Sequence, residues 1–298
     1  MTTQELARHA APNNPSASAS ASASASARMP GLALSRPLRA WLGIEVIFGV
    51  LSLLTISLTP GDTARHFAWP IKPDVTAALL GGFYIAAAFI YVLALFTRRW
   101  ENIRVFIVAS ILFSSIEFAA TLLHWERMTV GSLPFNVWFV SYVLPPPLFI
   151  GFYLWHERHN SPAPKSQDEP LAPWLRAGLV VLGAPLALLG AAVFVQPELL
   201  FPLMAWKFTP LTARAFSGWI LALGVMMLSA ARENDCTRSR IVGAMFVPLL
   251  PAVLWEVARY PDQVNRSHPG VYGGLAVLVA TFVLGLGLAR GDWRRVLG

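Results

Sequence analysis

Polar residues along this chain fall in short clusters, and between the clusters the sequence is almost continuously apolar. Eight such runs lie near residues 41–58, 75–96, 103–123, 134–155, 174–195, 211–231, 241–258 and 270–289. At a helical rise of about 1.5 Å per residue, each is long enough to cross a hydrocarbon core of about 30 Å. One run of this kind also fits a buried helix in a large soluble core. Eight in succession leave no polar surface to solvate such a core. Barrel strands are excluded because they alternate apolar and polar positions, which these runs do not. The pattern therefore predicts an all-α, polytopic membrane bundle of eight transmembrane helices.

The pattern also repeats. F-A-W-P-I-K-P at 67–73 and M-A-W-K-F-T-P at 204–210 share Ala, Trp and the final Pro at identical spacing. A shift of 137 residues pairs Trp69 with Trp206, Pro73 with Pro210, Ala78 with Ala215 and Gly81 with Gly218 without a gap. With a four-residue adjustment, Trp41-Leu42 pairs with Trp174-Leu175 at the start of the first and fifth runs. The expected unit is four helices. Because four is even, two tandem copies enter the membrane in the same orientation. The expected organisation is a Ser/Ala-rich, disordered tail at 1–35, a first repeat at 36–160, a cytoplasmic linker at 161–173 and a second repeat at 174–295. Met29 directly follows the Ser/Ala tract, which makes it a second candidate start with residues 1–28 dispensable.

Composition agrees with the pattern: 55% of the 298 residues are hydrophobic, 13% are charged, and the mean hydropathy is +0.55. The net charge of +7 adds direction. Sixteen of the 23 Lys and Arg residues lie at the termini and beside the loops after runs two, four and six; seven lie on the other side. The positive-inside rule then places both termini in the cytoplasm. The basic residues are spread over five short segments, so no nucleic-acid surface is implied. A single cysteine, Cys236, permits neither an intramolecular disulfide nor a thiolate metal cluster, and it is expected in the loop after the sixth run.

Chemistry in such a protein is sought among ionisable residues inside the spans, where an unpaired charge is costly. Glu45, Glu117 and Glu256 qualify. Glu117 lies roughly 21 Å and Glu256 roughly 22 Å from the cytoplasmic ends of their helices, in the outer half of the bilayer. On the third run, Ser110, Ser114, Glu117, Thr121 and His124 follow a four, three, four, three spacing that places them on one helical stripe. The stripe reads either as helix packing by small hydroxylated residues or as a polar lining from mid-membrane to the outer surface. Arg259, three residues after Glu256, supplies a helical ion-pair partner. Glu45, one turn into the first run, is expected to reach the cytoplasmic headgroups.

Trp69 and Trp206 are expected as interfacial anchors, with Pro73 and Pro210 in the first turns of equivalent helices. Pro145-Pro146-Pro147, Pro248 and Pro251 are expected to kink their helices. His156 and His159 have a spacing that can chelate a metal, but no third ligand is identifiable, so no metal site is assigned. The sequence shows no phosphate-binding loop, no zinc-protease pattern and no nucleophile elbow. No catalytic residue and no cofactor are therefore expected.

The W-x-[I/F]-x-P segment, the R-R-W-E turn at 98–101 and T-L-L-H-W-E-R at 121–127 resemble sequences of an uncharacterised family of bacterial multi-spanning membrane proteins. The resemblance covers most of residues 36–295. It implies a bacterial inner-membrane setting and brings no activity. Two functions fit the sequence. One is a gradient-driven transporter or permeation protein for a small solute or ion, with binding at the interface of the repeats by Glu117, Ser114, Thr121, His124, Ser110 and Glu256. The other is a non-catalytic scaffold, sensor or assembly protein whose polar residues hold the bundle together. The expected partners are the lipid bilayer and that unknown solute or ion, with a protein partner or a second copy in the scaffold case.

Overall fold

The computed structural model describes residues 32–159 and 169–297. Most of the Ser/Ala-rich tail, including Met29, and the greater part of the expected linker lie outside the described residues. The eight long apolar helices expected from the pattern are all present. They are α1 (Arg36–Ile56), α2 (Asp74–Phe96), α3 (Arg104–Leu123), α4 (Leu133–His159), α5 (Pro173–Val195), α6 (Pro210–Glu233), α7 (Cys236–Ala258) and α8 (Pro269–Ala289). Among the described residues no strand forms; the chain before α1 makes only an isolated antiparallel bridge between Ala33 and Arg99. By length and composition the chain is an integral membrane protein.

Local chemistry sets the helix starts. Ser35, Ser132, Thr209 and Asp235 each accept a bond from a backbone N–H in the first turn, and proline follows at the first or second helical position of α1, α4 and α6. These caps lengthen two helices beyond their apolar runs. α1 begins at Arg36, and α7 begins at Cys236, which therefore belongs to a helix and not to a loop. The triple proline interrupts α4, which divides at Leu144 into Leu133–Val143 and Pro145–His159. Pro248 and Pro251, in contrast, lie inside an unbroken α7.

Helices pack in a reciprocal arrangement. α1 lies on α2 and α5 on α6; α3 packs against α4 and α7 against α8; α2 meets α7 while α6 meets α3. Small residues set the closest crossings. A Cβ on Gly190 would stand 2.5 Å from the Leu221 backbone nitrogen, and one on Gly224 2.4 Å from that of Ala187, so α5 and α6 touch main chain to main chain. α6 is the most enclosed span, and α1 the least.

The bundle has two polar faces. At the face holding the first and last described residues, Arg104 and Arg238 bind Glu233, Trp100 donates to Glu157, and the buried Arg240 donates to the carbonyls of Arg290 and Asp292. Asn102 donates to the Val296 carbonyl, tying the C-terminal segment to the loop before α3. These contacts join the segments in which the sequence concentrates its basic residues. At the far face, Thr129 N–H donates to the Ala68 carbonyl and Asn265 N–H to that of Ala205. Trp69 Nε1 donates to Thr212 Oγ1 (3.4 Å) and Trp206 Nε1 to Thr76 Oγ1 (2.9 Å). Each echoed Trp thus bonds the first turn of the helix that follows the other echo.

Candidate functional site

The polar stripe of α3 faces the interior. Ser110, Ser114, Glu117 and Thr121 are all buried, opposite α6 and between α2 and α4. Three of the four are satisfied within the helix. Ser110 donates to the Phe106 carbonyl (3.1 Å), Ser114 to that of Ser110 (2.7 Å) and Thr121 to that of Glu117 (2.8 Å). Neighbouring helices add one donor each at two points: Tyr91 Oη to Ser110 Oγ (3.2 Å) and Trp138 Nε1 to Thr121 Oγ1 (2.9 Å).

Glu117 differs from its neighbours. Its side chain is 1% exposed, and neither carboxyl oxygen has a hydrogen-bond partner in the protein. Buried polar groups are almost always paired, so an unpaired buried acid is unusual for a group that only packs helices. Space for it comes from Gly218 of α6, where a Cβ would stand 3.0 Å from Glu117 Oε1. Around it lie Phe113, Trp219 and the hydroxyl pair of Tyr84 and Tyr142, whose oxygens are 2.7 Å apart. The far-face end is covered by rings: Trp138 packs on Phe67 at 5.0 Å, Trp69 at 4.8 Å and Tyr142 at 4.3 Å.

His124, last in the stripe, is only partly buried and follows the final turn of α3. Its Nε2 accepts from Arg214 Nη1 at 2.7 Å. Desolvation, then the Arg214 and Arg127 charges, hold its pKa below the ordinary 6.5, so it remains the neutral acceptor that Arg214 needs.

Glu256 is also buried, but it is paired. It accepts from Ser57 Oγ of α1 and from Arg259 Nη1 (2.7 Å), and the same nitrogen donates to the Ser57 carbonyl (2.7 Å). The ion pair anticipated from the three-residue spacing therefore also clamps α1 to α7. Glu256 is not joined to Glu117.

Glu45 corrects an expectation. Because α1 begins five residues before its apolar run, Glu45 lies in its third turn, and its Oε1 is buried and unpartnered. It does not extend to headgroups. It lines a cavity of about 50 Å³ between α1, α2 and α4, together with Ser52, Tyr84, Tyr91, Ser114 and Tyr142. No Lys, Arg or His lines it. Sequence reasoning missed the three tyrosines. Tyr84 and Tyr91 are seven residues apart, two helical turns on one face of α2, which is a legible signal; Tyr142 comes from α4 and joins them only through packing.

Trp69 is buried in the far-face ring cluster, while Trp206 is half-buried. Pro73 caps α2 and Pro210 opens α6. The histidine pair of α4 is engaged by protein: His156 Nδ1 meets the Phe152 carbonyl, its Nε2 accepts from Ser35 N–H, and its ring stacks on Trp100 at 4.5 Å. His159 Nδ1 meets the Trp155 carbonyl.

No family model, no curated protein and no solved structure matches the chain.

Proposed function

We propose that this integral membrane protein passes a small solute or ion through the polar interior between two four-helix halves. Glu117 carries the reading: it is a fully buried, unpartnered acid on α3, set against Gly218 of α6 where the two halves meet. A purely structural carboxyl is satisfied by a neighbour, as Glu256 is by Ser57 and Arg259.

The halves are α1–α4 and α5–α8, a tandem duplication in one orientation. Support comes from the reciprocal helix pairs and from the exchanged bonds of Trp69 with Thr212 and Trp206 with Thr76. Close approaches add to it, since Gly82, next to the position aligned with Gly218, meets Val253 of α7 while Gly218 meets Ile116 of α3. The excess of Lys and Arg at the face of the chain ends supports a cytoplasmic location for both termini, and the resemblance noted above supports the bacterial inner membrane.

The test is flux into proteoliposomes of a panel of protons, Na⁺, K⁺ and small neutral solutes, for the wild type and Glu117→Gln. Transport of at least one panel member, lost at least tenfold in the variant, supports the reading. Equal flux through both, or none through the wild type, refutes it. A scaffold role is favoured by one observation, the internal satisfaction of Ser110, Ser114 and Thr121; it predicts no flux and a stable complex with a partner protein.

A further inference from the structure

We propose that the permeant is the proton, and that Glu45 and Glu117 are the two ends of a relay joined by the hydroxyls of Tyr84 and Tyr142. This rests on the transport reading above and names its substrate.

Size comes first. A cavity of about 50 Å³ has room for a few water molecules, whereas organic ligands occupy pockets of roughly 300 to 1,000 Å³. Charge narrows the choice further. The lining offers a carboxyl group and hydroxyls but no cationic side chain, so nothing there would hold an anion. Metal cations need several oxygens converging on one point, and among the described residues no group of three Asp, Glu, His or Cys side chains comes together.

The acids themselves favour a proton. An ionised carboxylate with no counter-ion in a membrane interior is strongly disfavoured, and the neutral acid is the species such a place holds. Glu117 has two unpartnered oxygens and Glu45 one. Other charged groups on the packed helices are committed elsewhere: Arg214 to His124 and the Phe194 carbonyl, Arg104 to Glu233, Glu256 to Ser57 and Arg259. Trp41 stands beside Glu45, and the groups that lie toward both acids are tyrosines. Tyr91 bonds Ser110 beside Glu45, and Tyr142 lies within electrostatic reach of both Glu45 and Glu117.

The transfer balances. Glu117 first releases its proton toward the far face, Glu45 then passes its own through the Tyr84–Tyr142 pair to the Glu117 carboxylate, and Glu45 is reprotonated from the opposite side. At each phenol one O–H bond breaks as another forms, so both tyrosines finish neutral and no oxidant or reductant is involved. The ring cap of Phe67, Trp69 and Trp138 covers the far-face end in this conformation. The second half has no matching acid. At the position aligned with Glu45 through Trp41-Leu42 and Trp174-Leu175 stands Gly178, and a Cβ there would lie 2.7 Å from Leu284 Cδ2, so that crossing is filled by a side chain.

The test uses the purified full chain in liposomes holding an internal pH dye, with valinomycin and a K⁺ gradient to set the potential, and ²²Na⁺ uptake measured in parallel. Expected results are potential-driven acidification in the wild type, at least tenfold slower in Glu45→Gln and in Glu117→Gln, and slower again than wild type in Tyr142→Phe. Proton flux unchanged by Glu45→Gln, in a protein shown folded by gel filtration, overturns the relay. Glu117-dependent Na⁺ or solute flux without proton flux overturns the proton assignment while leaving the transport reading intact. Absence of every flux removes both. Should Glu45→Gln fail to fold, Tyr142→Phe, which removes one phenolic O–H of the relay and leaves both acids in place, decides: slowed proton flux supports the relay, and wild-type proton flux overturns it.

Discussion

Replacing Gly224 by alanine tests the architecture on which the site depends. A Cβ at 224 would lie 2.4 Å from the Ala187 backbone nitrogen, 2.7 Å from the Gly183 carbonyl oxygen and 2.8 Å from Ala187 Cα. All three are main-chain atoms within a helix, so no side chain can rotate away. Restoring an ordinary contact of about 3.5 Å requires α5 and α6 to separate by roughly 1 Å. A gap of that size forfeits a quarter to a half of each dispersion contact along the crossing, and overpacking of this kind costs about 1 to 3 kcal/mol. With the backbone as the obstacle, the expected loss is about 3 kcal/mol, the upper end of that range. Reversible unfolding in mixed micelles, followed by tryptophan fluorescence, measures it. Gly274→Ala on α8 is the control, because a Cβ there meets nothing within 4 Å; it should be neutral or stabilising by up to about 1 kcal/mol. Equal stability of Gly224→Ala and Gly274→Ala would refute direct backbone contact between α5 and α6.

Three further outcomes are expected. Arg259→Ala removes the cation from buried Glu256 and should destabilise the α1–α7 clamp by about 3 to 5 kcal/mol, while Glu256→Gln, which keeps a bond to Ser57, should lose less; chemical unfolding of both variants checks the order. His124 has a depressed pKa, so the unfolded chain binds its proton more readily; its contribution is complete above the ordinary 6.5 and is lost as pH falls through the lower folded value. His124→Gln should flatten that acid-side decline, and an unchanged pH profile would contradict the assignment. Reporter fusions after Gly298 should read cytoplasmic and one near Arg266 external; an external C-terminus would overturn both the orientation and the even repeat unit.

The chain announced its eight spans because bilayer thickness imposes a length that no other element shares. Helix starts were less legible. Ser35-Arg36-Pro37 is a capping signature, yet the polar residues after it lie outside the apolar run, so α1 was expected to begin at 41 and Glu45 to lie near its end. That five-residue difference moved Glu45 from a headgroup position to a cavity wall. The α3 stripe was legible from spacing alone, as was the pairing of Glu256 with Arg259. Which helices it faces was not, since the apolar lipid-facing side chains and the apolar protein-facing ones look alike in sequence. Spacing supplied Arg259 as a partner for Glu256, but the bond from Ser57 and the lack of any partner for Glu117 exist only once helices distant in sequence are packed.

The central claim concerns Glu117, and its most direct test is the infrared spectrum of the protein in lipid nanodiscs at neutral pH. A neutral carboxyl group absorbs in the C=O stretching region above the amide band, where an ionised carboxylate does not. The account predicts such a band in the wild type, its loss in the Glu117→Gln difference spectrum, and a shift on transfer to deuterated water that slows in Tyr142→Phe. A spectrum in which Glu117→Gln removes only ionised-carboxylate absorption would contradict it.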